Sequence, residues 1–458
     1  MRPAVEAEKS GIPSVVIVTT GFATLGHLAA KGGGVEGLRL AEYPGAVGLH
    51  EPSAIADNVQ KILVDQIIGG LTKSPELGSR TTAGAAWHPR RVVFNGSLEQ
   101  INEFFSAKEW SDGLPIVPPT IERIEQFLSY TSLSANDEIA VLPPENLKAV
   151  PWNIAVNAVM AGCRPEHMPL LIAAVEALGK EKYHLSNIGT TSGLVPYVLI
   201  NGPIVGQLAI QHGGQLVSRA PNTAIGRAIG LIIRNIAGFR PGKRYMGTFG
   251  TPSVFVLAED SAASPWGPFH VEQGFNGNAS TVTLGITNNW GPAPSPHSAP
   301  DKSAPQTILE MLCKEVSKKV RLVNFPERGP GAMQIMITLL VSPSVARSLA
   351  GAGYSKQDVK NYLYENARIS LRDFEWELKY GSYPQQNSIR EKVEAGLYPQ
   401  EYLGKPNDRV RLLSSPDIVH IVVCGDASRN RMMLLEGAHS QPTTSEIRLP
   451  SNWDDLLK

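Results

Sequence analysis

Cysteine is scarce: Cys163, Cys313 and Cys424 are the only three in 458 residues, and they lie far apart along the chain. That excludes the disulfide framework of a small secreted domain. With no Cys-x-x-Cys pair, a zinc knuckle and a dithiol motif are excluded as well. Long apolar runs are missing too. None approaches the roughly 20 residues that a bilayer-crossing helix needs, and the start "MRPAVEAEKSGIP" lacks the basic-then-apolar order of a signal peptide. A soluble protein of the reducing cytoplasm is therefore expected. Net charge is absent: Lys plus Arg and Asp plus Glu number 42 each, so no overall field draws the chain to nucleic acid or to an anionic membrane. Nucleotide signatures are lacking. "AAKGGGVEG" (29–37) and "IVVCGDASRNR" (421–431) have neither the Gly-Lys-Ser/Thr ending of a phosphate loop nor the Gly-x-Gly-x-x-Gly spacing of a dinucleotide fold.

What is present is a globular composition, 42% hydrophobic and 18% charged, in a chain long enough for two or three domains with sizeable cores. Residues 1–73 read as β-α-β-α. "SVVIVTT" (14–20) is a short buried strand, a helix runs through Leu28, "GLRLAEYP" (37–44) is a second strand, and 53–71 is an amphipathic helix. This predicts a partial doubly wound lobe, flavodoxin-like or Rossmann-like, that needs something else to complete its sheet. Residues 74–90 have the Ser, Thr, Gly and Pro content of a linker. From 91 to 458 the pattern predicts a larger mixed α/β region, of one or two subdomains. It opens with a strand at "RVVF" and a helix. Further helices are expected at about 152–161, 165–178 and 222–237, and four helical stretches between 304 and 397. Strands are expected near 196–201, 253–258, 280–287, 333–341 and 417–424.

Chemistry is suggested first by "MAGCRPEHMPLL" (160–171). From Pro165 the apolar residues Met168, Leu171, Ile172, Val175 and Leu178 line one helical face, which puts Cys163 just outside a helix N-terminus. Free N–H groups and the helix dipole favour an anion there, and Arg164 is adjacent, so a lowered thiol pKa and a reactive thiolate are expected. The plain alternative is a small buried hydrophobe. "WSDGLPIVPPT" (110–120) is a Pro-stiffened loop able to hold Asp112 as a proton-transfer carboxylate, or an ordinary Asp-Gly turn.

Other stretches carry polar groups at element ends. Thr190, Thr191 and Ser192 precede an apolar strand that ends at Asn201, and strand-end loops are where open α/β sheets hold ligands. Turn capping explains the same residues. Arg227 and Arg234 sit seven apart on an apolar helix and need anionic partners, whether a substrate carboxylate or a structural acid. "FVLAEDSAASPWGPFHVEQGF" (255–275) gathers Glu259, Asp260, His270 and Glu272 after a strand. His270 and Glu272, two apart, would share a face of a strand and serve acid–base work or a structural hydrogen bond. Two such residues do not define a metal site, so none is expected. After the strand at 419–424, Arg429 and Arg431 would clamp an anion.

The stretches "GIPSVVIVTTGFATLGHLAA" and "LRLAEYPGAV" resemble the UGSC-like domain, named for a selenocysteine- or cysteine-Gly-Ser-Cys element. The rest, with "NAVMAGCRPEHMP" and "SPWGPFHVEQGF", is similar to the long bacterial region found joined to or beside that domain. The resemblance implies thiol or selenol redox chemistry over about the first 73 residues. It also implies that the Cys-Gly-Ser-Cys element, which precedes the first helix in that domain, comes here from another polypeptide or has been lost. The expectation is then a cysteine-dependent lyase or hydrolase that makes or breaks a carbon–heteroatom bond, in particular carbon–sulfur, in a small polar substrate. Cys163 would be the nucleophile, with Asp112, His270 and Glu272 for proton transfer. Arg164, Thr190, Thr191, Asn201, Arg227 and Arg429 would bind substrate. The cofactor is left open. Two alternatives stand beside it: a thiol–disulfide oxidoreductase subunit of a hetero-oligomer whose short partner carries Cys-Gly-Ser-Cys, and a non-catalytic scaffold subunit.

Overall fold

A computed structural model describes residues 2–32, 34–35, 37–73, 91–191, 193–250, 254–287, 289–291, 293–319, 336–380, 389–437 and 441–458. The expected linker, 74–90, lies outside the described residues, as does Ser192. The protein is mixed α/β, as the alternation of patterns predicts.

The N-terminal lobe pairs β1 (Val15–Thr19) with β2 (Arg39–Tyr43) in parallel through the helix Ala23–Gly32. Helices cover both faces. Val5, Ala30 and Leu38 form a small core on one side, and Ala41, Tyr43 and Leu63 on the other. A hairpin follows, β3 (Ala140–Leu142) with β4 (Leu147–Ala149).

The body is built on two sheets. β5 (Val195–Asn201) pairs in parallel with β6 (Phe255–Ala258) and antiparallel with β7 (Thr281–Thr287). β8 (Ile337–Val341) is the centre of the other sheet, and β9 (Arg368–Ser370) and β10 (Arg409–Arg411) form a separate ribbon. β11 (Val419–Val423) runs parallel to β8, β12 (Met432–Glu436) runs antiparallel to it, and β13 (Thr443–Glu446) returns to pair with β7. The core strands are buried on both faces, which is why β5, β8 and β11 read as mostly apolar runs without alternation.

Val198 and Ile200 of β5 face the helices Pro151–Ala161, Met168–Gly179 and Asn222–Asn235. Leu339 and Val341 of β8 face Ala304–Lys319, Pro343–Gly351 and Lys356–Asn366. The opposite faces meet each other. Tyr197, Leu199 and Leu257 pack with Leu340, Val422 and Leu435, and Tyr197 Oη and Thr338 Oγ1 share a hydrogen bond of 2.7 Å. The order is therefore helices, sheet, sheet, helices. Two element expectations are corrected. "RVVF" is not a strand: it is exposed and pairs with no strand among the described residues, although Phe94 stacks on Phe104. The 304–397 stretch holds five described helices, because Ile389–Glu394 follows Leu371–Tyr380 as a separate element.

Candidate active site

The parallel strands β5 and β6 end side by side, and the polar residues just past those ends form a cleft of about 270 Å³. Its walls include Gly202, His212, Glu259, Asp260 and His270. Glu259 N donates to Ile200 O at 3.1 Å and Asp260 N to Val423 O at 2.8 Å, so the ends of β5, β6 and β11 converge here. Carboxyl ends of parallel strands are where open α/β folds place ligands. Gly202 is needed for the turn. Its φ is +91°, and a Cβ would come within 2.2 Å of Ala279 O.

Glu259 is 2% exposed. Its Oε2 accepts from Asn201 Nδ2 at 2.5 Å and from Phe269 N at 2.8 Å. Its Oε1 is buried without a hydrogen-bond partner, 3.9 Å from Lys356 Nζ. Burial pushes the Glu259 carboxyl above the ordinary range, and the Lys356 charge only partly opposes that. His270, 1% exposed, places Nε2 3.2 Å from Gly277 O and leaves Nδ1 buried without a partner. At the mouth His212 Nδ1 lies 3.3 Å from Asp260 Oδ2. Asn201 Oδ1 is a further buried atom without a donor. Unmet polar atoms in such number are unusual inside a protein and mark a place where a ligand can supply what is missing.

Behind this wall stand two lysines from the helix Lys356–Asn366. Lys356 Nζ donates to Gly267 O at 2.7 Å and to Glu272 Oε1 at 2.5 Å, and Lys360 Nζ to Glu272 Oε2 at 2.9 Å. Burial alone would raise the Glu272 pKa, but the two ammonium groups hold it below its usual value. Glu272 is thus a fixed counter-ion. Its expected proton-transfer role is corrected, and so is the shared face with His270. Both sit on the short helix Phe269–Glu272, where residues two apart point in different directions. Burial, reinforced by Lys360, pushes His420 down to about 4, which keeps it neutral beside the lysines.

Cys163 is elsewhere, in a setting opposite to the one expected. Burial pushes the thiol pKa up, and the Arg227 charge offsets this only in part. The helical axis begins with a tight turn, Pro165–His167, in which Arg164 N donates to His167 Nδ1 at 3.2 Å. Cys163 N closes the preceding helix on Ala158 O at 3.0 Å, and its side chain packs on the core. Arg164 is turned to the Glu166 carboxylate, 2.9 Å away, not to the thiol. No hydrogen bond among the described residues joins Cys163 to His270.

Asp112 and Arg227 do come together, but as each other's partners. Arg227 Nε and Nη2 bind Asp112 Oδ2 and Oδ1 at 2.9 and 2.8 Å, and Nη2 also donates to Pro115 O at 2.9 Å. Burial opposes ionisation of Asp112, yet the guanidinium outweighs it and holds the carboxyl below its ordinary range. The pair pins the Pro-rich loop to the helix Asn222–Asn235. Thr190 and Thr191 are at the amino end of β5, about 20 Å along the strand from Asn201, where Thr191 O accepts from Thr248 N at 3.1 Å. Arg429 is exposed and tied to Asp426 at 3.1 Å within its own turn. Of the residues expected to act on or bind a substrate, His270 lines the cleft and Asn201 bonds the Glu259 carboxyl beside it. Glu259 and Asp260 carried a signal, two acids directly after an apolar strand. His212, Lys356 and Lys360 carried none.

Among the described residues no group of three or more His, Cys, Asp or Glu is arranged to hold a metal, and no helix is long and apolar enough to cross a membrane. No curated protein matches the chain, and no solved structure does. Beyond residue 73 no family matches either, whereas residues 1–73, the lobe that carries β1 and β2, match the UGSC family.

Proposed function

We propose that the protein is an acid–base enzyme that makes or breaks a carbon–heteroatom bond in a small polar substrate at the Glu259–His270 cleft. The observation that carries this is Glu259: a buried carboxyl, raised in pKa and with Oε1 unpartnered, on a residue that lines a cleft at the ends of two parallel strands. A carboxyl whose pKa is raised can donate a proton to a leaving heteroatom, and an imidazole nitrogen without a partner can take one from carbon or water. Lys356 and Glu272 form an ion pair that supports the arrangement from behind. The sulfur once expected in the bond rested on a reactive Cys163, so the proposal extends to carbon–heteroatom bonds in general, and a lyase or a hydrolase fits it.

The test is turnover of a panel of small hydroxy, amino and thio acids and amides by the whole protein and by Glu259→Gln, His270→Asn and Cys163→Ala. General acid–base groups contribute about 10²- to 10⁴-fold. Losses of that order in the first two variants, with Cys163→Ala near wild type, are expected. No turnover of any compound, or turnover abolished only in Cys163→Ala, would sink the reading.

The N-terminal lobe supports a second proposal, that the chain works in a hetero-oligomer whose short subunit carries Cys-Gly-Ser-Cys and performs thiol–disulfide exchange. Among the described residues β1 and β2 have no further strand, and Ile17, Ile68 and Leu71 beside them are 57%, 55% and 44% exposed. A parallel sheet of two strands is short of what such sheets need. Native mass spectrometry of protein isolated from its source decides this: a single kind of chain removes the partner.

A further inference from the structure

Lys356 stands where a lysine is least expected. It is the first residue of the helix Lys356–Asn366, whose N-terminus the dipole makes positive, and it is 8% exposed, so the helix field and burial both disfavour its charge. Such a cation needs partners. An ammonium has three N–H donors. Two of them go to Gly267 O at 2.7 Å and to Glu272 Oε1 at 2.5 Å, and no hydrogen bond among the described residues takes the third. Glu259 Oε1, 3.9 Å from Nζ, is an acceptor that lacks a donor.

The charges around this contact balance only when Glu259 is ionised. Lys356 and Lys360, each 8% exposed, bring two positive charges, and Glu272 bonds both. His420 on β11, pushed down to about 4, adds none near neutrality, and Cys424 just past β11, pushed up to about 12, stays a thiol. Asp260, His212 and His270 are the titratable groups on the cleft side of Glu259. With Glu259 protonated, the buried lysines and Glu272 carry one positive charge in excess. Two demands therefore meet on one carboxyl: burial favours the acid, and the excess cation favours the carboxylate. Lys360 is what leaves Lys356 available, since it gives Glu272 Oε2 an ammonium of its own at 2.9 Å.

We propose that Lys356 is a positioning residue that sets the proton affinity of Glu259, its third N–H turning to Oε1 when Glu259 ionises while Lys360 keeps Glu272 paired. The proposal rests on Glu259 as the acid of the reaction proposed above. When that acid acts, its O–H bond breaks and the proton goes to the heteroatom, which leaves with the electron pair of its bond to carbon. The carbon receives a pair from an adjacent C–H bond whose proton His270 takes, or from water, and the charge left on the Glu259 carboxylate is met by Lys356.

A carbon-13 NMR titration of the full chain labelled at the glutamate carboxyls reads this without a substrate, the Glu259 signal being the one absent from Glu259→Gln. Lys356→Met should move its midpoint up by about one to three pH units, the usual effect of losing an opposite charge at this range. Glu272→Gln should move it down, because a negative neighbour goes and Lys356 is freed. Lys356→Arg keeps the charge and should leave the midpoint close to that of the wild type. A lysine that only held the helix in place would lower the melting temperature and leave the midpoint where it was. An unmoved midpoint in Lys356→Met, or the same direction of movement in Lys356→Met and Glu272→Gln, would overturn the proposal. If Lys356→Met does not fold, an upward or absent shift in Glu272→Gln overturns it alone. Turnover separates this proposal from the one it rests on: an active enzyme whose Glu259 midpoint ignores Lys356 loses only the role of Lys356, whereas midpoints that move as stated without turnover of any compound keep that role and remove the reaction.

Discussion

Glu259 and Glu272 belong to one sequence stretch, yet their surroundings shift their pKa values in opposite directions. Glu259 keeps one oxygen bonded to Asn201 and Phe269 N and the other without a partner, whereas both oxygens of Glu272 meet ammonium groups. The consequence for stability has a sign. The folded pKa of Glu259 is raised, so the fold binds its proton more tightly than the unfolded chain does. Its contribution is fully present below the ordinary Glu value and is lost as pH rises through the raised one. Glu272 and Asp112, whose pKa values are lowered, contribute stability that is present at neutrality and is lost as pH falls through their depressed values. Glu259→Gln removes only the first dependence. Its melting temperature relative to wild type should rise between pH 4 and pH 8, and a flat difference across that range would mean that Glu259 ionises normally. Cys163 gives a second residue-level prediction. With its thiol pKa raised by burial, like those of Cys313 and Cys424 at about 12, iodoacetamide at pH 8 should label all three slowly in the native protein and rapidly in urea. Selective fast labelling of Cys163 would restore the thiolate.

At the scale of elements, the turn after β5 decides whether Asn201 faces Glu259. Gly202 has a left-handed backbone and no room for a Cβ, whereas Gly206, four residues on, has ordinary geometry and open space. Gly202→Ala should therefore lower stability by roughly 1–3 kcal/mol, as overpacking and strain typically do, and lower kcat as well. Gly206→Ala should change little, and comparable melting temperatures for the two variants would show that the turn tolerates a side chain. Much of the element plan was legible in the sequence, because β5, β8 and β11 are short, mostly apolar runs between turn signals, the pattern of a strand buried on both faces. The site was far less legible. "RVVF" has strand composition but no partner strand among the described residues. The His270–Glu272 spacing has its strand meaning only on a strand, and Phe269–Glu272 is helical. Asn201 meets Glu259 across 58 residues, and Glu272 meets Lys356 across 84. Contacts of that kind come from strand pairing and helix docking, which no local pattern encodes. The Cys163 expectation failed for the same reason: the helix-start field was read from neighbours in sequence, while the burial that outweighs it comes from residues distant in sequence.

Across the whole molecule the two sheets share an inner layer, and the cleft lies where β6 of one and β11 of the other end together. Acid–base geometry there depends on the sheets staying docked, so the body should open as one unit and not as two halves. Leu435, 1% exposed in that layer, is the place to test this. Leu435→Ala should cost about 2–5 kcal/mol and speed amide hydrogen exchange in β5 and β8 alike. Faster exchange confined to the sheet of β8 would make the halves independent. The N-terminal lobe should behave otherwise. Its two small cores rest on few buried side chains and two strands, so its amides should exchange well before those of β5 and β8 in the isolated chain. Whatever binds the folded lobe and not the unfolded one must raise that local stability by mass action. Adding a chain with the Cys-Gly-Ser-Cys element should then slow exchange in β1 and β2 selectively, while protection that is already as high as in the body would mean that the two strands need no partner.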